Sequence, residues 1–115
     1  MPDMEKLIKS YIPMSEASFL ILAILQTENH GYGIMQKSTE LTNGRTTLGA
    51  GTTYTILYKM ENDGLITVTR EIDRRKLYIS TPLGRELLYH ESQRLFQLAE
   101  IAKKLTNSQP VAATK

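Results

Sequence analysis

Three consecutive cations, Arg74, Arg75 and Lys76, stand between two short runs rich in β-branched and aromatic residues. Such runs predict a β-hairpin, which places the cations at its tip and Arg70 on the incoming strand. Cations on a narrow protrusion can bind phosphate groups or enter a minor groove of DNA. Taken alone, a run of charge also fits an ordinary solvated surface, so that alternative stays open.

A second group of polar side chains falls just before the hairpin, where residues 52–62 predict a helix. Leu57 and Met60 form its apolar stripe, and Thr53 shares their spacing, so Thr53 either points inward or reaches the outer surface. Hydroxyl, phenol and ammonium groups off this stripe can hydrogen-bond phosphates or base edges in a major groove. They also fit a plain polar helix face. The side chains concerned are Thr52, Tyr54, Thr55, Tyr58 and Lys59.

Patterns typical of catalysis or metal binding are missing from the sequence. The chain has no cysteine, which excludes disulfides and thiolate zinc sites. Its two histidines, His30 and His90, fall on different predicted elements, and neither has a carboxylate at metal-ligand spacing. Glycine-rich phosphate loops, nucleophile triads and paired carboxylates do not stand out either. We therefore predict no catalytic site, no metal and no cofactor, and hence a protein that is not an enzyme.

Length and composition fit one small globular domain. The chain has 115 residues, of which 41% are hydrophobic and 23% charged, and its formal net charge is +2. This mild charge neither shows nor excludes a nucleic-acid partner, so the placement of the charges has to decide. The most apolar run, residues 19–25, is far shorter than the ~20 residues of a membrane span, and the N-terminus lacks a secretory signal pattern. We expect no membrane partner and a cytoplasmic location.

The remaining segments predict the elements that hold these two groups in place. Ser15 and Thr81 fit helix N-caps, Pro82 fits a first helical position, and Gly64 fits a helix end. Residues 16–28 are apolar on most sides, which predicts the central helix of the core. In chain order we predict helices at 3–12, 16–28, 32–41 and 52–62, strands at 65–70 and 76–80, and a final helix at 82–105.

This order predicts a mainly α (α+β) fold, a winged helix-turn-helix with an N-terminal helix and a long C-terminal dimerisation helix. Residues 1–81 would form the DNA-binding domain, residues 82–105 the dimerisation helix and residues 106–115 a disordered tail. The last helix carries an apolar seam with coiled-coil-like spacing, interrupted by the polar Glu91, and we expect it to pair with a second copy of the chain. The seam comprises Leu88, Leu95, Leu98, Ala102 and Leu105.

From about residue 15 to residue 105 the chain resembles the PadR family of transcriptional regulators, in particular short members that end in a single long helix. Each motif is weak alone, but their order and spacing together are specific. The motifs are His30-Gly31-Tyr32-Gly33-Ile34, Gly51-Thr52-Thr53-Tyr54 with Leu57, the run 60–66, and Arg75-Lys76-Leu77-Tyr78 leading to Thr81-Pro82-Leu83-Gly84-Arg85.

Three features depart from the family pattern. Thr53 and Thr55 stand where many members have leucine and proline, and the wing is clipped to about residues 73–75. Drug-responsive short members stack flat ligands on a tryptophan of the last helix, whereas this chain has no tryptophan and has Gln93 in that place. The resemblance therefore does not imply a stacking multidrug site.

The resemblance implies a homodimeric repressor that binds a pseudo-palindromic operator in double-stranded DNA and that a small-molecule effector releases. The candidate DNA contacts are Tyr32, Thr52, Thr53, Tyr54, Lys59, Arg74, Arg75 and Lys76. A possible effector cavity between the subunits would be lined by Ile12, Phe19, Tyr89, His90 and Gln93. Two alternatives stay open: a winged-helix module that binds proteins instead of DNA, and a dimer whose main role is to sequester a ligand.

Overall fold

The structure, a computed structural model, describes residues 3–106 and is mainly helical. In chain order its elements are α1 (Met4–Tyr11), α2 (Glu16–Ile24), β1 (Asn29–His30), α3 (Gly31–Leu41), α4 (Ala50–Asn62), β2 (Ile66–Ile72), β3 (Arg75–Ser80) and α5 (Pro82–Thr106). The strands form one antiparallel sheet in which β3 lies between β1 and β2. The predicted winged helix-turn-helix is confirmed, with α4 followed by the wing hairpin β2–β3. Of the tail predicted from residue 106, Thr106 ends α5 and residues 107–115 lie outside the described residues.

Local sequence signals set most of the element boundaries. The Ser15 hydroxyl accepts the Ser18 N–H at 3.1 Å, and the Thr81 hydroxyl accepts the Gly84 N–H at 3.1 Å, so both predicted N-caps are confirmed. Gly64 has a φ of +78°, and the Leu65 N–H then reaches back to the Met60 carbonyl at 2.9 Å. This left-handed residue after the last turn ends α4, as glycine does in many helices.

The core is built around α2, which packs against α3, α4 and α5. Burial of a leucine- or isoleucine-sized side chain contributes about 1.5–3 kcal/mol, so the buried residues of this core hold helices α2 to α5 in fixed positions. The predicted role of α2 as the central helix is therefore confirmed. The fully buried residues of the hydrophobic core include Ile21, Leu22 and Leu25 around α2, Ile34 of α3, Leu57 and Met60 of α4, and Leu87 of α5.

The predicted helix at 16–28 is too long, because α2 ends at Ile24. The carbonyl of Leu25 accepts the Ser80 N–H of β3 at 2.7 Å instead of continuing the helix. The chain then turns and pairs with β3, Asn29 opposite Tyr78 and His30 opposite Leu77. The short strand β1 was not predicted, since two residues carry no periodic signal.

The last helix, α5, belongs to the core at its start and leaves it further on. Gly84 lies so close to the Leu65 carbonyl that a Cβ atom would overlap it, which lets α5 begin tight against the hairpin. Leu87 and Glu91 are buried, whereas every residue from 96 to 106 is exposed. With 25 residues the helix is about 38 Å long and gives the molecule its extents of 54 × 32 × 21 Å. Among residues 3–106, no helix combines the length and the apolar character needed to cross a bilayer.

Candidate nucleic-acid interface

The wing carries the three predicted cations at its tip. Asp73 and Arg74 both have positive φ angles, 52° and 66°, which is the two-residue type I′ turn that suits a twisted hairpin. Arg74, Arg75 and Lys76 are all exposed, and among residues 3–106 none of them takes part in an ion pair. Their charges are therefore available to a partner. Arg70, which the sequence placed beside them, is instead paired with Glu28.

Helix α4 presents an exposed polar and aromatic surface beside the wing. Thr52, Tyr54, Thr55 and Tyr58 are exposed, Tyr58 at 70%. Within the described residues no side chain caps the N-terminus of α4, so its first N–H groups remain open to an anion. The sequence had identified Tyr58 and Thr55 as polar positions without including them among the DNA contacts.

Thr53 is a correction to the predicted DNA contacts. Its side chain is fully buried, and its hydroxyl donates to the Gly49 carbonyl at 2.8 Å. Of the two alternatives that the sequence left open, the inward one holds. Thr53 therefore belongs to the apolar face of α4 with Leu57 and Met60, and it stabilises the first turn of the helix.

A groove of about 310 Å³ joins the start of α3, the side of α4 and the wing. The predicted residues Tyr32, Tyr54, Arg74, Arg75 and Lys76 come together here. A Cβ atom on residue 31 would overlap the Tyr54 hydroxyl, so Gly31 lets α3 and α4 approach. The groove is lined by His30, Gly31, Tyr32, Tyr54, Arg74, Arg75, Lys76 and Tyr78.

Two groove residues that the sequence did not include in the site have defined roles. His30 caps α3, since its Nδ1 atom accepts the Gly33 N–H at 3.1 Å, in agreement with the predicted helix-junction histidine. Burial raises the pKa of the Tyr78 phenol, and the charge of Glu61 adds to the rise. The Tyr78 hydroxyl can donate a hydrogen bond into the groove. The sequence offered no sign of this, because β3 reads only as a strand.

Lys59 lies outside the groove, although it was predicted to contact DNA. Its ammonium pairs with Asp63 at 2.9 Å and lies 4.4 Å from the centre of the Tyr11 ring. The Tyr11 hydroxyl donates to the same carboxylate at 2.7 Å, and burial followed by this bond raises the pKa of Tyr11. The three side chains fasten α1 to the end of α4. Lys59 therefore has a structural role in this arrangement.

The predicted effector residues are only partly brought together. Phe19, Tyr89 and Gln93 line one cleft of about 330 Å³ between α2 and α5. His90 lies beside it, with its ring edge-on to Tyr89 at 5.8 Å, and Ile12 packs on the hydrophobic core instead.

A second cavity, of about 450 Å³, lies on the other side of Phe19 and is more apolar. Its lining includes Met14, Leu41 and Leu95 together with the buried Glu91. The sequence did not predict it, because its walls come from segments far apart in the chain.

The predicted dimer seam divides into two parts. Leu88 is buried within its own protomer, so its place in an intermolecular seam is wrong. Leu95 is half-buried, and Leu98, Ala102 and Leu105 are exposed, Leu105 at 80%. Phe96 and Ile101 are exposed on the same stretch and were not predicted. No group of three or more histidine, aspartate or glutamate side chains among residues 3–106 could hold a metal ion.

Helices α2, α3 and α4 pack on one another, and the exposed face of α4 lies beside the basic hairpin β2–β3. This arrangement defines a winged helix-turn-helix regulator. The family model described as the transcriptional regulator PadR-like family matches residues 21–90 of the chain. That match covers more than half of the sequence and includes α3, α4 and the wing. The chain therefore belongs to the PadR-like family of transcriptional regulators. No curated protein matches it.

Solved structures with the same fold come from several bacteria. A PadR-like transcriptional regulator from Bacillus cereus is 24% identical, with 90% of this chain and 99% of that chain covered and a TM-score of 0.70. A PadR family transcription regulator from Clostridium difficile is 25% identical, with 80% and 99% covered and a TM-score of 0.66. A transcriptional regulator from Clostridium thermocellum is 20% identical, with 86% and 93% covered and a TM-score of 0.68.

Proposed function

We propose that this regulator binds a pseudo-palindromic operator in double-stranded DNA as a homodimer, in the cytoplasm, and represses transcription until a small molecule releases it. One observation carries the proposal: the three wing cations, which have no ion-pair partner among residues 3–106, border the same groove as Tyr54 of the exposed face of α4. A duplex that places its major groove on α4 would bring its backbone to the wing. Catalysis has no part in this function.

The face of α4 supports a division of labour between base and phosphate contacts. Thr52 lies in the first turn, the end of a recognition helix that usually reaches base edges, and Thr55 and Tyr58 extend the exposed surface along the helix. A threonine hydroxyl can donate to or accept from a base, and its methyl group can contact thymine. The uncapped N–H groups of α4 favour a phosphate.

The wing supports a contact that carries no sequence information. Arg75 is exposed and unpaired among the described residues, and a guanidinium at a hairpin tip suits the phosphate backbone. Each neutralised phosphate releases counterions, so the affinity of such a contact falls steeply with salt. This physical difference between Arg75 and Thr52 makes the two residues separable in one experiment.

The test compares Arg75→Ala and Thr52→Ala on an operator selected from a random-sequence duplex library and on unrelated DNA. Arg75→Ala should weaken both by similar factors and make the slope of log affinity against log salt shallower by about one. Thr52→Ala should cost about 1–3 kcal/mol on the operator and much less on unrelated DNA. Lys9→Ala removes the same charge from the last turn of α1 and is the control.

Opposite results would separate the alternatives. Weak, salt-insensitive binding by the wild-type protein would contradict DNA binding and favour a protein-interaction module. Equal losses on both DNAs for Thr52→Ala would make Thr52 a phosphate contact. An unchanged salt slope for Arg75→Ala would place the wing tip away from the backbone.

The homodimer is supported by the exposed apolar end of α5. Leu98, Ile101 and Leu105 are exposed large apolar side chains on one face of the part of α5 that has left its own core, whereas Phe96 lies on the opposite face. Soluble monomers rarely expose so many apolar groups together, and such patches mark interaction sites. A two-fold pairing of α5 helices would cover them and would also give the two α4 helices the symmetry of a pseudo-palindrome.

Effector release is supported by the two cavities that flank Phe19. Both touch α5, and the more apolar one also touches the end of α3 and the loop after it, at Leu41 and Thr42. A ligand there would contact both the dimerisation helix and the helix-turn-helix. The ligand can release DNA only if it binds more tightly to a conformation of the dimer whose wing spacing does not fit the operator than to the conformation that does. Gln93 in place of a stacking tryptophan favours a smaller or more polar ligand.

A further inference from the structure

The carboxylate of Glu28 links strand β2 of the wing to the body of the protein. The Arg70 guanidinium donates to both of its oxygens, at 3.0 Å from Nη2 and 3.3 Å from Nε. The Thr69 hydroxyl donates to the same carboxylate and lies 3.3 Å from the Leu77 carbonyl. Glu28 thus joins strand β2 to the segment that leads into α3.

A β-bulge makes this three-way contact possible. Val68 pairs with Tyr78 and Arg70 with Leu77, so Thr69 is an extra residue with no partner of its own. Successive side chains of a regular strand point to opposite faces of the sheet. At the bulge this alternation is broken, and Thr69 and Arg70 reach one carboxylate together.

The contact lies close to the last level at which the hairpin is paired with β1. Strand β1 pairs with β3 only as far as His30 opposite Leu77. Beyond that level, among the described residues, the backbone pairs of residues 71–76 are within the hairpin alone. The same short segment also ends in His30, which caps α3 at the wall of the groove. The orientation of the wing tip relative to α3 and α4 therefore depends on the Glu28 contact.

We propose that Glu28 is a positioning residue for DNA binding, which acts through Arg70 and Thr69 to aim the cations of the wing tip at the backbone. The inference rests on the proposed function and deepens it. Glu28 itself does not touch DNA in this scheme. It fixes a hinge at the bulge, so that Arg74, Arg75 and Lys76 meet phosphate without first being ordered.

The sign of the effect distinguishes this role from simple electrostatics. Removing a negative charge near a DNA-binding surface strengthens binding to a polyanion if charge alone matters. It also frees Arg70, which adds a cation. Loss of positioning has the opposite effect, because a loosely held wing makes fewer phosphate contacts at once. Glu28→Gln is therefore expected to weaken DNA binding although it makes the protein more positive.

The experiment is a double-mutant cycle measured by fluorescence anisotropy on the selected operator at several salt concentrations. Glu28→Gln should lower affinity roughly three- to tenfold, the usual size of a coupling through a positioning contact. In a background where Arg74, Arg75 and Lys76 are all alanine, the same change should no longer weaken binding. Glu5→Gln removes an equal charge from the exposed first turn of α1 and serves as the control.

A second readout does not depend on DNA. Backbone amide exchange at residues 71–76 should become faster in Glu28→Gln, while the exchange of α4 stays as it was. Thr69→Val should also make amide exchange at residues 71–76 faster. Thr69→Ser, which keeps the hydroxyl, should leave the exchange as it is in the wild-type protein. This readout distinguishes a loosened wing from a protein that is destabilised throughout.

Each outcome has a defined meaning. Tighter binding by Glu28→Gln, or an equal loss with and without the wing cations, overturns the positioning role and leaves the proposed function standing. Salt-insensitive binding by the wild-type protein overturns the proposed function and this inference with it. A loss of affinity in Glu28→Gln that disappears when the wing cations are removed, together with faster exchange at residues 71–76, supports the role.

Discussion

Glu91 is the most deeply buried charged side chain among the described residues, at 1% exposure. Its Oε1 accepts from Arg94 Nε at 2.7 Å, and its Oε2 accepts from Arg94 Nη2 at 2.8 Å and from the Met14 N–H at 2.9 Å. Met14 lies in the connection between α1 and α2. One carboxylate thus joins α5 to the connection between α1 and α2, and its removal should affect the stability of the whole domain.

The expected loss follows from these contacts. Hydrogen bonds to a charged group are each worth about 1.5–3 kcal/mol, and breaking a buried ion pair costs about 3–5 kcal/mol. Arg94 is 32% exposed and can turn its guanidinium to water, which favours the lower end of that range. Glu91→Ala should therefore cost about 3–4 kcal/mol, including the unpaired Met14 N–H. Glu91→Gln keeps an acceptor for that N–H and should cost about 1–2 kcal/mol.

Urea unfolding at one fixed protomer concentration measures these losses, since association changes apparent stability. Glu86→Gln is the matched control. Its carboxylate is 58% exposed, and its ion-pair partner His90 is as far away as 3.9 Å, so the change should stay within about 0.5 kcal/mol. A loss below about 1 kcal/mol for Glu91→Ala would refute the reasoning, because water would then replace the protein contacts at little cost.

The pH dependence gives an independent check with a definite sign. Hydrogen bonds from Arg94 lower the pKa of Glu91, and burial opposes them only in part. A carboxyl group whose pKa is lower in the folded state stabilises the fold above its unfolded pKa of about 4.3. That contribution is lost as the pH falls through the folded pKa. The stability gap between wild type and Glu91→Gln should be constant from about pH 5 to 8 and shrink in more acidic solution.

Two further predictions concern the partner and the ligand. Leu98→Asp should convert the proposed dimer to a monomer in sedimentation equilibrium, because it would bury an unpaired carboxylate in the interface. Leu98→Met is the control and should leave the dimer intact. If Leu98→Asp also left the dimer intact, this stretch of α5 would not be part of the interface. A planar bisbenzimide dye should fail to saturate the protein at micromolar concentrations, since Gln93 offers no stacking surface. Micromolar binding that Phe19→Ala abolishes, coupled to operator release, would contradict this expectation.

The parts of the fold that were predictable from sequence depend on local chemistry. Ser15 and Thr81 cap helices through bonds three residues along the chain, and Gly64 ends α4 through its own φ angle. The spacing of Leu57 and Met60 identified the inner face of α4 because a helix repeats every 3.6 residues. Each of these signals lies within a few residues, so a sequence window contains all the relevant information.

The features that were missed depend on contacts between distant segments. Strand β1 forms because residues 29–30 hydrogen-bond to the free edge of β3, and the paired residues are 47 or more positions apart in the sequence. In the sequence Lys59 looks like an unpaired surface cation. In the structure its ammonium pairs with Asp63 and lies over the Tyr11 ring, a contact that depends on the position of α1. Arg70 likewise reads as one of the wing cations until Glu28 is brought beside it. A cation's local sequence does not reveal which carboxylate will neutralise it.

The seam on α5 shows a more specific reason for error. A heptad pattern requires one continuous apolar face but does not say which surface covers each part of it. In α5 the face at Leu87 and Leu88 is covered by the protein's own core, and its continuation through Leu98, Ala102 and Leu105 is left exposed. Glu91 falls at the change between these environments, where a polar residue in a purely intermolecular seam would only interrupt packing. Here it is fully bonded to Arg94 and Met14, so it anchors the half of α5 that stays with the body and fixes the direction in which the other half projects.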